Sequence, residues 1–297
     1  MNKKLNLKND IIFKAFFSRK GNEEFLIDFL NALLGIEIES IEIKEEVNLE
    51  QLSALEKGGR IDLQAKLNDG IIANIEMQKK YQKGFEIRTV FYASKVISRE
   101  VERGTNYQDI KKTIMISILG NNMFKKYDEY ISKTAIVLDK HREYIVMYNI
   151  EWWFIELPKF RKHHPDMNEK INQWIAFLDD EDKELVKMAE QKNETLKKAR
   201  KEVEYLTGDA AIRRLAELQE DWNFDYDLGI SLARKEGEEI GEKRGEKRGE
   251  KRGEKIGEKK AKKDTAKIML ANGYKIDEII KITGLTKEEV EKLSKIM

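Results

Sequence analysis

Apolar residues recur at helical spacing in the first part of the chain. Between Asp10 and Leu34 they fall every three or four residues, which predicts amphipathic helix. Gly21 and Asn22 interrupt this pattern and divide it into two helices, and Gly35 is placed to end the second. The chain is therefore predicted to open with two helices.

Alternation of apolar and polar residues follows and predicts strands. Residues 40–47 form the first, and residues 60–67 and 71–78 form a pair around Asn68-Asp69-Gly70, a hairpin turn signature. A helical pattern and three apolar stretches then follow at residues 85–103, 113–119, 134–138 and 144–157. This order of elements predicts an α+β or α/β domain that ends near Pro158.

The C-terminal half has a helical, highly charged pattern from residue 168 to residue 234. In the next segment glycine recurs at every fourth position, mostly as Gly-Glu-Lys-Arg. Each glycine costs a helix about 1 kcal/mol relative to alanine, and like charges lie four residues apart. Two alternatives remain for residues 236–262: a flexible charged linker, or a helix that forms only in an oligomer, where bare glycine faces allow close approach.

The last stretch, residues 263–297, predicts a small helix-turn-helix-like module. Gly273 and Gly284 are placed to end its first two helices, and Thr286 with Glu289 forms a capping box for the third. The alternative is a helical packing or oligomerisation tag. We therefore divide the chain into residues 1–160, a charged helical extension 161–235, the repeat 236–262 and this module.

Composition excludes several classes of function. The 297 residues include no cysteine, which rules out disulfides, cysteine-ligated zinc, iron–sulfur clusters and a thiol nucleophile. The three histidines form no spaced ligand pair, so a histidine triad or zinc site is not expected. Lys and Arg number 56 against 55 Asp and Glu, so any nucleic-acid binding must come from local patches. No apolar leader and no membrane-length apolar run is present, and we expect a cytoplasmic protein with no membrane partner.

The predicted hairpin carries the candidate chemistry. Paired residues must project to the same side of a sheet, so a three-residue loop pairs Leu67 with Ile71 and hence Asp62 with Glu76. Gly70 then takes the left-handed position of a bulged turn. Two carboxylates side by side repel each other, and a divalent cation such as Mg²⁺ would offset that repulsion. The alternative is a solvated outer face whose acids meet water and nearby lysines.

These residues resemble the PD-(D/E)XK nuclease superfamily, in which two acids on consecutive strands follow a helix. The amino-acid sequence of residues 9–17 and 25–34 is similar to the N-terminal region of the Rpn family of recombination-promoting nucleases and transposases. Arg60-Ile61-Asp62-Leu63, Ile75-Glu76-Met77-Gln78 and the pair Arg88 and Tyr92 continue the match, which covers roughly residues 5 to 235. The resemblance implies an α/β, restriction-endonuclease-like core that cuts DNA, with a mixed sheet flanked by helices.

The resemblance also implies roles for single residues. Asp62 and Glu76 would hold the metal, and Asp10 would be an additional acid of the metal shell. Gln78 occupies the place of the superfamily's lysine. It can orient water through hydrogen bonds but carries no charge, and Lys80, on the same strand parity, is a candidate source of that charge or else a solvated strand end.

The helix after the hairpin predicts contacts with the DNA backbone. Arg88, Tyr92, Lys95 and Arg99 fall on one stripe of it, and we expect Arg88 and Tyr92, with Lys80, to contact phosphates, which position a duplex without reading its sequence. An ordinary solvated face is the better interpretation of Lys95 and Arg99. The tryptophan-rich stretch at residues 152–154 and the pair Trp174 and Phe177 are expected in the core.

The sequence therefore predicts a Mg²⁺-dependent DNA endonuclease linked to recombination, DNA mobility or defence. We expect a homo-oligomer formed through the C-terminal region, because two active sites are needed to cut both strands. The alternative is a catalytically degenerate protein that binds DNA as a recombination accessory. The presence of both acids favours activity, whereas the missing lysine favours the accessory role.

Overall fold

The computed structural model describes residues 5–44, 63–80, 83–101 and 106–295. The helices and strands follow the predicted order closely. The helices are α1 (Asp10–Ser18), α2 (Glu23–Leu34), α3 (Phe85–Glu100), α4 (Leu157–Lys162), α5 (Lys170–Asp179), α6 (Lys183–Lys192), α7 (Glu194–Gly208), α8 (Ala210–Ala271), α9 (Ile276–Thr283) and α10 (Lys287–Ser294). The strands are β1 (Ile41–Ile43), β2 (Leu63–Leu67), β3 (Ile72–Gln78), β4 (Thr113–Leu119), β5 (Ile131–Leu138) and β6 (His141–Glu156).

Within the described residues the strands form one mixed sheet in the order β1-β2-β3-β4-β6-β5. The first three are antiparallel neighbours, as predicted. Strand β4 runs parallel to both β3 and β6, and β5 pairs with β6 in the antiparallel sense at the edge. The two strands of the last pair are longer than predicted, because β5 begins at Ile131 and β6 at His141. The predicted α/β fold is confirmed.

The two faces of the sheet are covered by different helices. One face packs Ala73, Ile75 and Met77 of β3 into the main hydrophobic core, together with the aromatic residues of α1 and α2. On the other face, Phe85 of α3 packs with Leu119 and Phe154 in a smaller cluster. Because side chains alternate along a strand, Glu76 and Gln78 lie on the α3 side.

The expected boundary at residue 160 does not coincide with a division of this core. Trp174 and Phe177 of α5 are fully buried in the main core, as predicted, and Leu196 and Leu206 of α7 are buried with them. The high charge of this region hides a narrow apolar stripe on each helix. Helix α7 packs against α1 and α2, α5 packs against α2, and α6 packs against α5 and α7. The chain divides instead into compact units at residues 1–224 and 225–297.

The glycine repeat, residues 236–262, lies within the helix α8. That this helix depends on an oligomer stays a prediction. The following module has its own small core, formed by Ala266, Met269, Ile279, Leu285, Val290 and Leu293. Gly273 and Gly284 adopt positive φ at helix ends, and Thr286 and Glu289 form the predicted capping box. No helix among the described residues is both long enough and apolar enough to span a bilayer.

Candidate active site

The β2–β3 hairpin has the register that the hydrophobic pattern predicts. Leu63 lies opposite Ile75 and Lys66 opposite Ile72, and the Leu67 amide donates a hydrogen bond to the Ile71 carbonyl at 2.7 Å. Gly70 has φ +79°, the left-handed conformation expected of it. Asp62 lies outside the described residues, so its pairing with Glu76 stays a prediction.

Glu76 and Gln78 meet a guanidinium from the helix above them. Nη2 of Arg88 donates to Glu76 Oε1 at 2.7 Å and to Gln78 Oε1 at 2.5 Å. The side chains of Arg88 and Glu76 are each 14% exposed. Because both groups are largely shielded from water, this charge-assisted pair is stronger than an ion pair on an open surface.

The amide of Gln78 is oriented by contacts at both ends. Its Oε1 accepts from Arg88, and its Nε2 donates to the main-chain carbonyl of Lys80 at 2.6 Å. Turning the amide over would set nitrogen against a guanidinium and oxygen against a carbonyl, so the network fixes its orientation. Gln78 therefore presents its acceptor oxygen, rather than its donor nitrogen, to the Arg88 guanidinium.

Helix α3 holds Arg88 at a fixed height above β3. Gly84 precedes the helix with φ +82°, and its carbonyl accepts from the Arg88 amide at 3.0 Å. The Arg88 guanidinium also lies over the Phe85 ring, 4.7 Å from its centre, and that ring is buried against the sheet. Arg88 was expected at the DNA backbone; the structure places it on the two polar side chains of β3.

Arg88, Glu76, Gln78 and Phe85 form what we call the Arg88 cluster. The other candidate phosphate contacts lie around this cluster. Tyr92 is half-buried one turn after Arg88, with its ring 5.6 Å from that of Phe91. Lys80 is exposed just beyond the end of β3. Lys95 and Arg99 are exposed on the same helix, and the Lys95 ammonium lies over the Phe91 ring. Tyr92 and Lys80 thus border the Arg88 cluster, while Lys95 and Arg99 lie further along the helix.

Asp10 and Lys14 occupy successive turns of α1. Asn9 caps this helix by accepting from the amides of Ile11 and Ile12, and Asp10 is half-buried in the first turn. Lys14 is only 4% exposed. The apolar side of α1 packs in the core on the sheet face opposite Glu76, so Asp10 and Lys14 belong to a helix on that other face. The role of Asp10 in a metal shell stays a prediction.

The loop after β4 packs tightly against the end of β3. The amide of Gly120 donates to the Gln78 carbonyl at 2.9 Å, and a Cβ at this glycine would lie 2.3 Å from the Lys79 carbonyl oxygen. The carboxylate of Glu156 accepts from the amides of Met123 and Phe124, at 2.6 and 3.1 Å, and so anchors the same loop. A rigid backbone thus surrounds the Gln78 end of the site.

The donor set suits a hard divalent cation. Glu76 supplies carboxylate oxygen of the kind that such a cation prefers. No three His, Asp or Glu side chains in the described parts of the chain form a cluster that could hold a metal ion alone. Asp62 lies outside the described residues, so a metal shell that includes it stays a prediction.

Sequence reasoning missed two features of this site. The first is the direction of Arg88, which a helical stripe of polar residues does not specify. The burial of Phe85, Thr89 and Ala93 is the signal that could have shown it, because Arg88 flanks this inward face of α3. The second is Gly120, whose close approach to β3 has no local sequence signature.

Comparison with known proteins agrees with this geometry. A family model described as PD-(D/E)XK nuclease family transposase matches residues 7–233, about three quarters of the chain. The match contains the sheet, the helices of the main core and the Arg88 cluster. Neither a curated protein nor a solved structure matches the chain.

Proposed function

The chain belongs to the family of PD-(D/E)XK nuclease transposases, and from that premise we propose that it is a metal-dependent endonuclease acting on DNA. The observation that supports the proposal best is the one-for-one register of β2 and β3. Carried one residue further, that register would pair Asp62 with Glu76. This is the arrangement in which two acids on neighbouring strands share a cation.

In this proposal Asp62 and Glu76 hold the metal. A supplementary role of Asp10 in its shell would require the Asp10 carboxylate to reach past the end of the sheet, because α1 packs on the face opposite Glu76. When bound, a divalent cation such as Mg²⁺ lowers the pKa of water and stabilises negative charge on a phosphate. The remaining work falls to the chain itself. Glu76 and Asp62 fix the position of the charge, Gln78 and Arg88 form the polar wall beside it, and Lys80 and Tyr92 hold the DNA backbone.

The C-terminal region is proposed to join copies of the chain. A cut through both DNA strands requires two active sites, and a single chain carries one. Helix α8 exposes Phe224, Leu228 and Leu232 at intervals of four residues, followed by the glycine repeat. Exposed apolar side chains followed by a run of glycines suit a helix that packs against a second copy.

Incubation with supercoiled plasmid tests the catalytic proposal. The wild type should nick the plasmid with Mg²⁺ and stop when EDTA is added, and Asp62→Asn and Glu76→Ala should abolish nicking while thermal unfolding stays cooperative. Glu143→Ala is the matched control, because this strand carboxylate is 79% exposed at the far edge of the sheet. It should cut like the wild type.

The accessory alternative gives a different result. A protein that binds the plasmid but does not nick it with any divalent cation would be the catalytically degenerate form. Nicking that survives EDTA, or that survives the loss of either acid, would remove the two-acid metal site from the proposal.

A further inference from the structure

The site lacks a lysine two residues after its strand acid, where the superfamily motif has one, and Gln78 stands there instead. We propose that Arg88 supplies that positive charge from α3, as a catalytic residue that binds the scissile phosphate, and that Gln78 is the positioning residue that seats it. The inference rests on the proposed nuclease function and names the side chain that supplies positive charge to the same site.

The first argument is position. A lysine at residue 78 would extend from the same face of β3 as Glu76, into the space beside that carboxylate. The structure has a guanidinium in that space, with Nη2 bonded to both Glu76 and Gln78. The charge therefore reaches the same neighbourhood from the helix above rather than from the strand itself.

The second argument is the fit of glutamine to this task. Its Nε2 is held by the Lys80 carbonyl, so its Oε1 is turned toward Arg88 as an acceptor. A lysine at this position would set a second cation against the guanidinium and repel it. Glutamine has the length to reach Arg88 and the polarity to bind it without adding charge.

The third argument is rigidity, because a catalytic cation gains most when it needs no reorganisation. The Arg88 guanidinium is bracketed by Glu76, Gln78 and the buried Phe85 ring. A guanidinium carries five N–H donors in a planar fork that matches phosphate oxygens, and it stays charged at every working pH. Lys80, the sequence-based candidate for the same charge, lies exposed beyond the end of the strand.

A charge-relocation experiment tests the inference. Single-turnover nicking with Mg²⁺ is measured for the wild type, Arg88→Ala, Arg88→Lys, Lys80→Ala and the double variant Gln78→Lys/Arg88→Ala, and DNA affinity is measured in EDTA by fluorescence anisotropy. Arg88→Ala should slow nicking on the order of 10²-fold or more but change the dissociation constant less than about threefold, since affinity is spread over many phosphate contacts. Arg99→Ala, on the same helix and exposed, is the matched control and should change neither quantity.

The double variant distinguishes a role of Arg88 as a positive charge from a purely structural role. Returning lysine to the motif position should recover at least about tenfold of the rate lost in Arg88→Ala, on the scale set for one catalytic donor. A packing defect would show no such recovery.

The outcomes distinguish this inference from the proposed function. If the wild type nicks the plasmid and the Glu76→Ala variant does not, the nuclease proposal stands. If Arg88→Ala then cuts at the wild-type rate, or the double variant is no faster than Arg88→Ala, the inference is wrong. A normal Arg88→Ala with a slow Lys80→Ala would assign the charge to the strand end, and a wild type that never cuts would overturn both proposals.

Discussion

Single residues in this site could be placed on a strand and on a face from the sequence, but not in contact with one another. Glu76 and Gln78 follow from strand parity, which has a period of two and is read directly from the apolar residues between them. The sequence places Arg88 on a helix but does not show where its side chain points, because a helical residue beside the apolar stripe can turn either to solvent or to the sheet. Its contact with Glu76 depends on how α3 docks, and docking is a tertiary property.

The carboxylate of Glu151 shows how individual ion pairs set the acid stability of the sheet. Burial alone would raise its pKa, but hydrogen bonds from Lys112, Lys133 and Trp153 outweigh burial and lower it from the ordinary value of 4.5. The Lys112 and Lys133 ammonium groups lie 2.7 and 2.9 Å from the same carboxylate oxygen. Glu151 therefore links β6 to β5 and to the start of β4.

Glu151→Gln should lower the free energy of unfolding at neutral pH. In acid, the free energies of unfolding of the variant and of the wild type should become more similar. The folded pKa lies below the unfolded one, so the stabilisation is fully present above about pH 4.5 and is lost as the pH falls through the folded value. Urea unfolding at a series of pH values measures this. Glu143→Gln, an exposed carboxylate on the same strand, should run parallel to the wild type, and a Glu151→Gln curve that also runs parallel would contradict the assignment.

At the scale of elements, the sequence predicts whatever depends on local periodicity and turn chemistry. The β2–β3 hairpin has its predicted register because only one loop length keeps both apolar faces together, and Gly70 has the backbone that this loop requires. Helix ends at Gly35 and Gly284 follow from the same local chemistry. The parallel pairing of β3 with β4 has no such local signal, since the partners are distant in sequence.

The junction of β3 and β4 gives a test at this scale. Gly120→Ala would bring a methyl group to 2.3 Å from the Lys79 carbonyl oxygen, so the backbone at the end of β3 must move and carry Gln78 with it. We expect nicking to fall at least tenfold and the unfolding free energy to fall by about 1–3 kcal/mol, the usual range for overpacking. Plasmid nicking and urea unfolding measure the two effects.

Gly208→Ala is the control for this substitution. A Cβ at Gly208 meets no atom within 4 Å, and its φ is ordinary. This variant should cut like the wild type and gain up to about 1 kcal/mol, the helix preference for alanine over glycine. A Gly120→Ala enzyme with normal activity would show that the end of β3 tolerates displacement.

At the scale of the whole molecule, the sequence predicts the order of elements but not how far the charged helices after residue 160 contribute to the core. The charged helices after residue 160 contribute Trp174, Phe177, Leu196 and Leu206 to the same core as α1 and α2. Their mean composition is polar, and only one narrow stripe on each helix is apolar, so composition could not show that they belong to the first unit. The family match to residue 233 agrees with this larger unit.

The glycine repeat could not be resolved from the sequence because its helix preference and its packing preference oppose each other. Glycine disfavours an isolated helix by about 1 kcal/mol per residue, whereas it favours close approach between helices. The structure has helix throughout the repeat. Within the chain, a Cβ at any repeat glycine from Gly237 to Gly257 would meet no atom within 4 Å, so alanine fits there sterically.

Replacing the repeat glycines with alanine therefore tests whether α8 joins copies of the chain. In a lone helix the change should raise helicity by circular dichroism and leave the sedimentation coefficient unchanged, because each alanine favours helix by about 1 kcal/mol. If a second copy packs on the glycine face, as proposed, the added methyl groups should separate the helices, and sedimentation velocity at matched concentration should show a smaller species. Gly208→Ala is again the control, since Gly208 lies in α7. An unchanged oligomer with a more stable helix would place the contact between copies elsewhere in the molecule.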